Sequence, residues 1–467
     1  MNSIPQKVLG LMESLADFKE WEQSVLELSQ EIAQQIASML LKAIDEHLME
    51  DREGGLRLVG KRKRTVLTRF GPLEIERRLY RDEHGKHHFL LDEALGLEPG
   101  ASCTPSLEHL ANRLSSHVPF RVASDTISRF ITCAPTHACL HRMVQRTGNE
   151  KSAEEEEARR SLFEDGELPP SEMRTAERLM LEADGVVVSL QREKKRRREM
   201  KFAFAYEGLA ECGKGRYRTL EKRVHSGFSP TDEFWQGFSV ELASRYDLAG
   251  VGEVILGGDG ASWIKGGGKL FPVDRYQLDR FHLSRALKRA LGAGANKAYR
   301  KACEGDLEAT DEILSGAQAE ASEEESAVIA QTRRYLASNA EGLADWRTGR
   351  EDAGNLRGLG AAEGNIDKTL ANRLKKRGMS WTVAGGHNMA KVIQLRDNGQ
   401  LEEWAHSRSD REPEREDLDR AVVRLKARMK QDPQSWLEAH LPALDGPHSD
   451  RPWAHMLREL ARIQEVV

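Results

Sequence analysis

The chain contains no stretch of about 18 or more consecutive apolar residues, the minimum for a membrane-spanning helix, so no membrane partner is expected. Cysteine is scarce. The five present, an odd number without paired spacing, argue against a disulfide framework and suit a reducing cytosol. Cys133, His137, Cys139 and His141 lie close together, but their spacing fits no common zinc pattern, and ordinary buried thiols account for them. The opening residues, MNSIPQKVLGLMESLADFKEWEQ, mix acids into an amphipathic pattern and do not read as a secretory signal. Positive charge is not in excess either. The formal net charge is −5, which by itself does not point to nucleic acid.

What positive charge there is falls in stripes. Arg57, Lys61, Arg62, Lys63, Arg64, Arg69, Arg77, Arg78 and Arg81 make one; Arg192, Lys194, Lys195, Arg196, Arg197, Arg198 and Lys201 make another. Acidic runs such as Glu154 to Glu157 cancel them in the sum. Local basic stripes on a mildly acidic body can still grip a phosphate backbone. A length of 467 residues, 39% hydrophobic and 31% charged, bounds the chain to about two to four domains of a soluble, hydrophilic protein.

Residues 1–52 read as helical, with Leu28, Ile32, Ile36, Leu40 and Ile44 near helical spacing, as a dimerisation or a packing helix. Residues 53–100 read as a basic β-hairpin turning at Gly71-Pro72, its arginines and lysines forming either a solvated outer face or a phosphate-contacting surface. Residues 101–147 turn helical again and break near Pro119. Ser124 or Asp125 could cap a second helix offering Thr126, Ser128 and Arg129 to a groove, as in a helix-turn-helix, or the pair could simply pack. Residues 148–176 form an acidic, proline-containing linker. A catalytic core is expected over 177–280 and 356–398, a helical insertion over 281–355, and a charged helical tail without evident chemistry over 399–467.

Within that core, Leu179 to Gln191, Phe202 to Tyr206, Tyr217 to Val224, Val254 to Leu256 and Val273 to Asp279 read as strands, and Asp232 to Tyr246 as a helix. Strand, strand, strand, helix, strand, helix, strand is the order of a ribonuclease-H-like mixed five-stranded sheet. Asp184 sits inside the first strand, on the same side as Glu182, Val186 and Val188. Burying a carboxylate among valines is costly unless something pairs with it. Asp259 ends the strand Val254-Ile255-Leu256, among glycines that let the chain turn, although an Asp-Gly there could merely cap the next helix. Two carboxylates brought together repel, and one or two Mg²⁺ ions, with Mn²⁺ as the alternative, would relieve that. A third acid should come from a helix: Glu363 falls on the stripe of Ile366, Leu370 and Leu374, unless it only favours the helix dipole, with Asp367 and Glu341 as substitutes. The basic run 192–201 would track DNA beside the metals or remain a solvated hairpin tip.

The blocks GGDGASWI, LDRFHLSRAL and AAEGNIDKTLANRLKKRGMSW, with TRFGPLEIERRLYRD and FLLDEALGL earlier, resemble bacterial insertion-sequence transposases of the ISLre type, formerly an uncharacterised protein family and related to the Mutator-like transposases. The resemblance covers roughly residues 55 to 395. It implies a DDE catalytic domain of ribonuclease-H-like type, with Asp184, Asp259 and Glu363 as catalytic acids and metal ligands. Asp279-Arg280-Phe281-His282 looks like the Cys/Asp-x-x-His motif of Mutator relatives, which would give His282 a catalytic, orienting role beside the metals; a buried histidine satisfied by a carbonyl is the other account. DNA-binding residues would be Arg62, Lys63, Arg64, Arg77, Arg78, Arg121, Arg129, Lys194, Lys195, Arg196, Arg197 and Arg198. The activity expected is cleavage and strand transfer at insertion-sequence ends on double-stranded DNA, by a homodimer or larger assembly in the cytoplasm at the nucleoid. A structure-specific DNA nuclease of the same superfamily and a non-catalytic DNA-binding derivative are the alternatives.

Overall fold

The computed structural model describes residues 17–407 except 53, 272, 354 and 355. The described residues divide into two compact units: 17–110, 124–136 and 403–407 form the first, Ala111–Ala123 and His137–Glu402 the second. The expected C-terminal tail beyond residue 407 lies outside the described residues.

In the first unit, helix α1 (Phe18–Glu50) starts where the Asp17 side chain accepts the Glu20 N–H at 2.8 Å. Strands β1 (Arg57–Thr68) and β2 (Gly71–Arg81) pair antiparallel, from Thr68 opposite Gly71 to Arg57 opposite Arg81. Their turn falls at Arg69-Phe70, just before the expected Gly71-Pro72, because Gly71 at φ +100° already opens β2. A two-residue strand β3 (His87–His88) and helix α2 (Leu90–Ala94) follow. The inner face of the hairpin, Val66, Leu73 and Ile75, packs with Leu91 against Ala37, Leu41, Ile44 and Leu48 of α1.

Next come α3 (Pro105–Ser115), α4 (Phe120–Ser128) and α5 (His137–Arg160). Ser124 and Asp125 lie inside α4 and cap nothing: Ser124 donates to the Pro135 carbonyl, and Asp125 pairs with Arg129 one turn on. The acidic stretch expected as a linker is mostly helix. Residues 148–160 complete α5, where Gly148 and Lys151 are buried. A Cβ at Gly148 would stand 2.3 Å from the Asn388 carbonyl oxygen, so a second helix, described below, presses on its backbone. The buried-thiol reading fails for Cys133, which is exposed.

The second unit is built on a mixed sheet of β4 (Leu179–Ser189), β5 (Arg197–Tyr206), β8 (Arg223–Gly227), β9 (Val254–Gly258) and β10 (Arg275–Leu278), with spatial order β10-β9-β4-β5-β8. β4, β9 and β10 run parallel; β5 runs antiparallel to both of its neighbours. The single strand expected at 217–224 is two. β6 (Gly208–Gly213) and β7 (Arg216–Leu220) form a separate ribbon, and β8 resumes after Glu221, which takes φ +52°. Helix α6 (Thr231–Ala243) covers one face with Phe234, Trp235 and Phe238, packed on Leu179, Leu181, Ala183, Leu256 and Trp263 of the short α7 (Ser262–Lys265). Successive apolar residues in β4 and β9 have neighbours on both faces, hence no alternation.

Between β10 and the last helices stand α8 (Arg280–Leu291), α9 (Ala295–Cys303), α10 (Leu307–Glu320) and α11 (Glu323–Ser338). They share a core of Leu283, Leu287, Ala298, Leu314 and Leu336 that also takes in Leu278 of β10. After them come α12 (Ala362–Ile366), a π-helical turn Asp367–Ala371, a short turn Asn372–Leu374, then α13 (Val383–Asp397) and α14 (Leu401–Ser407). It is α13 that packs on α5 and edges β8, where Asn398 bonds both backbone groups of Val224.

Candidate active site

Register assembles the site. Ala183 of β4 lies opposite Gly258 of β9, and Gly258 opposite Leu278 of β10. The next residue on each chain is an aspartate: Asp184, Asp259 and Asp279. Neighbouring strands are about 4.8 Å apart, so three carboxylates spring from adjacent backbone positions. The Asp279 N–H still donates to the Gly258 carbonyl at 2.7 Å, which holds the row together.

Each acid has a local bond. Asp184 accepts the Gly185 N–H at 2.6 Å, Asp259 the Ala261 N–H at 2.8 Å, and Asp279, capping α8, the His282 N–H at 3.0 Å. Burial, aided by the charges of Asp259 and Asp279 and opposed by the Gly185 N–H and His282, raises the Asp184 carboxyl to about 6. A fourth acid stands against the next residue of β4: a Cβ on Gly185 would meet Glu199 Oε1 at 2.0 Å, so only glycine leaves that carboxylate its place. Burial and the charge of Asp259 raise the Glu199 carboxyl. From the insertion, the Tyr335 hydroxyl donates to the Asp259 carbonyl at 2.7 Å. Asn339 sits where a Cβ on Gly260 (φ +90°) would strike it at 2.6 Å.

Glu182, two residues before Asp184 and fully buried, holds α12 to the sheet. Its Oε2 accepts the N–H groups of Gly360 (3.1 Å) and Ala362 (3.0 Å); Oε1 accepts Ala361 N–H (3.2 Å) and the Tyr206 hydroxyl (2.5 Å). A carboxylate at a helix N-terminus satisfies donors that the helix itself leaves open. Burial still raises this carboxyl, with Tyr206 and the backbone donors opposing.

That anchorage decides where Glu363 goes. With Ala362 and Ile366 facing the core, one helical turn apart, Glu363 is rotated about 100° away and is exposed. The π-helical turn then shifts the phase, so Leu370 and Leu374 are buried without bringing Glu363 onto their stripe. The expected trio of Asp184, Asp259 and Glu363 is therefore not gathered, and no three His, Cys, Asp or Glu side chains among the described residues group as a metal set. Neither substitute serves: Asp367 pairs with Lys376, and Glu341 with Lys265. Asp279 and His282 do lie within electrostatic reach of Asp184.

The basic residues separate into two kinds. Arg64 and Arg77 both bond Asp92 Oδ2 at 2.8 Å, Arg77 stacking on Phe89, and Arg78 pairs with buried Asp45. These three are structural, contrary to the DNA-contact reading, because α1 and α2 each bring an acid beneath the hairpin. Arg62 and Lys63 remain outside, Lys63 paired with Glu74. Arg121 and Arg129 are exposed on and just after α4. Lys194, Lys195, Arg196 and Arg197 are exposed at the tip of the β4–β5 hairpin; Arg198 lies over the Phe228 ring and donates to its carbonyl. Glu182, Asp279 and Glu199 were the residues not assigned a role from sequence, although the period-two placement of Glu182 beside Asp184 was a usable signal.

Fold and site together define a mixed α/β protein with a row of aspartates on neighbouring parallel strands beside a helical insertion. The model of an uncharacterised protein family, UPF0236, matches residues 11–411, and the chain belongs to that family. It is 26% identical over 411 residues to the "UPF0236 protein in vanSb 3'region" of Streptococcus gallolyticus, covering 86% of this chain and 87% of that one. It is 24% identical over 388 residues to "UPF0236 protein TTE2489" of Caldanaerobacter subterraneus subsp. tengcongensis, covering 80% and 78%. A further protein of that organism, 24% identical over 385 residues with 80% and 77% covered, has a name that joins eleven locus designations.

Proposed function

We propose that the chain is a DNA transposase that cleaves phosphodiester bonds at the ends of a mobile element and joins the freed 3′-hydroxyls to target DNA. The observation that carries this reading is the in-register placement of Asp184 and Asp259 on adjacent parallel strands, with Asp279 next in line. A five-stranded sheet whose second strand alone is antiparallel supports a ribonuclease-H-like core. A relative named for eleven loci of one organism is what a self-copying element would produce.

The residues present suit a hard divalent cation in donor type and charge: Asp184, Asp259 and Asp279 are carboxylates at the ends of adjacent strands, and Asp184 is pushed up in part by the other two. Asp184 and Asp259 would hold the ion, with Asp279 as the third acid in place and Glu363 as the one the transposase resemblance names. Mg²⁺ so bound supplies Lewis-acid activation of the attacking water or hydroxyl. The chain's own part is otherwise positioning. The exposed Lys194–Arg197 tip offers the phosphate backbone a cationic surface. His282, tied through its N–H to Asp279, lies within electrostatic reach of Asp184. The site of action would be cytoplasmic, at the nucleoid.

The test is a cleavage and joining reaction with the purified chain, Mg²⁺ and labelled duplexes taken from both flanks of its coding DNA. End-specific nicks and joined products are expected, abolished by Asp184→Asn and Asp259→Asn. Nicks without joining would point to a nuclease, and no divalent-dependent cleavage would end the proposal. Comparing Asp279→Asn with Glu363→Gln identifies the third acid.

A further inference from the structure

Helix α1 has two apolar faces. One, Ala37, Leu41, Ile44 and Leu48, packs on the hairpin core. At 100° per residue, Phe18, Trp21, Val25, Leu28, Ile32, Ile36 and Met39 fall in a band centred about 150° from that face. Leu28 and Ile32 in this band are half-buried. The others are exposed: Phe18 74%, Trp21 40%, Val25 40%, Ile36 54% and Met39 59%. Scattered apolar residues on a surface need no explanation, but a continuous row of large ones does. The spacing, 18, 21, 25, 28, 32, then 36 and 39, alternates steps of three and four, as in a helix that packs lengthwise against another helix.

We infer that this face is a homodimer interface, in which α1 pairs antiparallel with α1 of a second copy. Charge sets the direction. The first half of the helix and its cap carry Asp17, Glu20, Glu22, Glu27 and Glu31 against one base, Lys19. From Ile32 to Ile44 there is no acid and one base, Lys42. Parallel alignment would set the two acidic halves side by side, whereas antiparallel alignment places each against the acid-free half of the other. Pairing centred near Gln30 brings Trp21 opposite Met39 and Leu28 opposite Ile32. The band runs about 33 Å, and seven large side chains from each copy would bury on the order of 1,000 Å², enough for a specific dimer of modest size. The inference stands whether or not the chain is a transposase.

The experiment is sedimentation of the full chain and of Trp21→Glu with Ile36→Glu, alongside the milder Trp21→Ser with Ile36→Ser. Because these side chains point outward, far-UV circular dichroism should stay unchanged. The wild type is expected at twice the 52.5 kDa chain mass and both variants at the single mass. A monomeric wild type, or dimers that persist in both folded variants, would overturn the interface. For direction, Trp21→Cys combined with Met39→Cys is oxidised and digested. A peptide linking 21 to 39 between copies supports the antiparallel pair, and links of 21 to 21 would overturn it.

Discussion

Removing the Glu182 side chain should unfasten α12 from the sheet. In Glu182→Ala, the N–H groups of Gly360, Ala361 and Ala362 and the Tyr206 hydroxyl all lose their acceptor; Ala362 and Tyr206 are buried, whereas Gly360 is exposed and Ala361 half-buried, so water can replace the acceptor there. Each buried donor left open costs about 1–3 kcal/mol, so the two buried ones alone cost about 2–6 kcal/mol before any cavity is counted. Glu182→Gln is subtler. The new amide can turn its NH₂ toward Tyr206, whose hydroxyl rotates to accept, leaving one backbone N–H, that of Ala361, without a partner. That limits the cost to about 1–3 kcal/mol, or roughly 3–8 °C in melting temperature. Hydrogen–deuterium exchange reads the local effect. Peptides containing residues 360–362 should exchange faster in Glu182→Ala and only slightly faster in Glu182→Gln, while peptides from β4 and β9 should change less. Unchanged exchange at 360–362 in the alanine variant would refute the clamp.

Asp259→Asn should stabilise the metal-free chain by about 0.5–1 kcal/mol, since it removes a charge that repels Asp184, and should abolish any melting-temperature gain on adding Mg²⁺; equal gains in wild type and variant would contradict the cation reading. Asp92→Ala strands Arg64 and Arg77 and should cost about 3–5 kcal/mol in chemical denaturation of the first unit, whereas neutralising Lys194, Lys195 and Arg196 should leave stability unchanged and lower the salt dependence of DNA binding by about one per removed phosphate contact. Stability should fall on the acid side in two stages. Burial lowers the His387 imidazole to about 4, and the charges of Lys391, His225 and Lys151 outweigh burial to hold Glu155 at about 2. Both lie below their unfolded values, so each contribution is complete above the unfolded pKa and lost as pH falls: for His387 from about 6.5 to 4, for Glu155 from about 4.5 to 2. Denaturation midpoints across pH 3–8 check this, and His387→Gln should flatten the upper stage.

The strands were legible because Val254-Ile255-Leu256 and Leu179-Met180-Leu181 are apolar runs too short for helices. Asp184 announced itself by interrupting one of them. What fell outside sequence reading depended on partners far along the chain. The acids at 154–157 look like linker charge, yet Glu155 bonds Lys391 at 2.5 Å, some 240 residues away, and that pairing lets the helix be buried. The hairpin arginines look like DNA contacts until Asp45 and Asp92 are placed beneath them. Glu363 misled because an ideal 100° progression assumes one unbroken helix, and the π-helical turn after Ile366 removes that assumption.

Tyr335 holds the last carbonyl before the turn at Gly260, although it belongs to a helical block inserted far downstream of β9. Exchanging that block with the corresponding one of a relative would therefore not be a neutral graft. A poorly matched replacement would loosen the tip of β9, and a lesion remote in sequence would look, in any functional readout, like damage to the acids themselves.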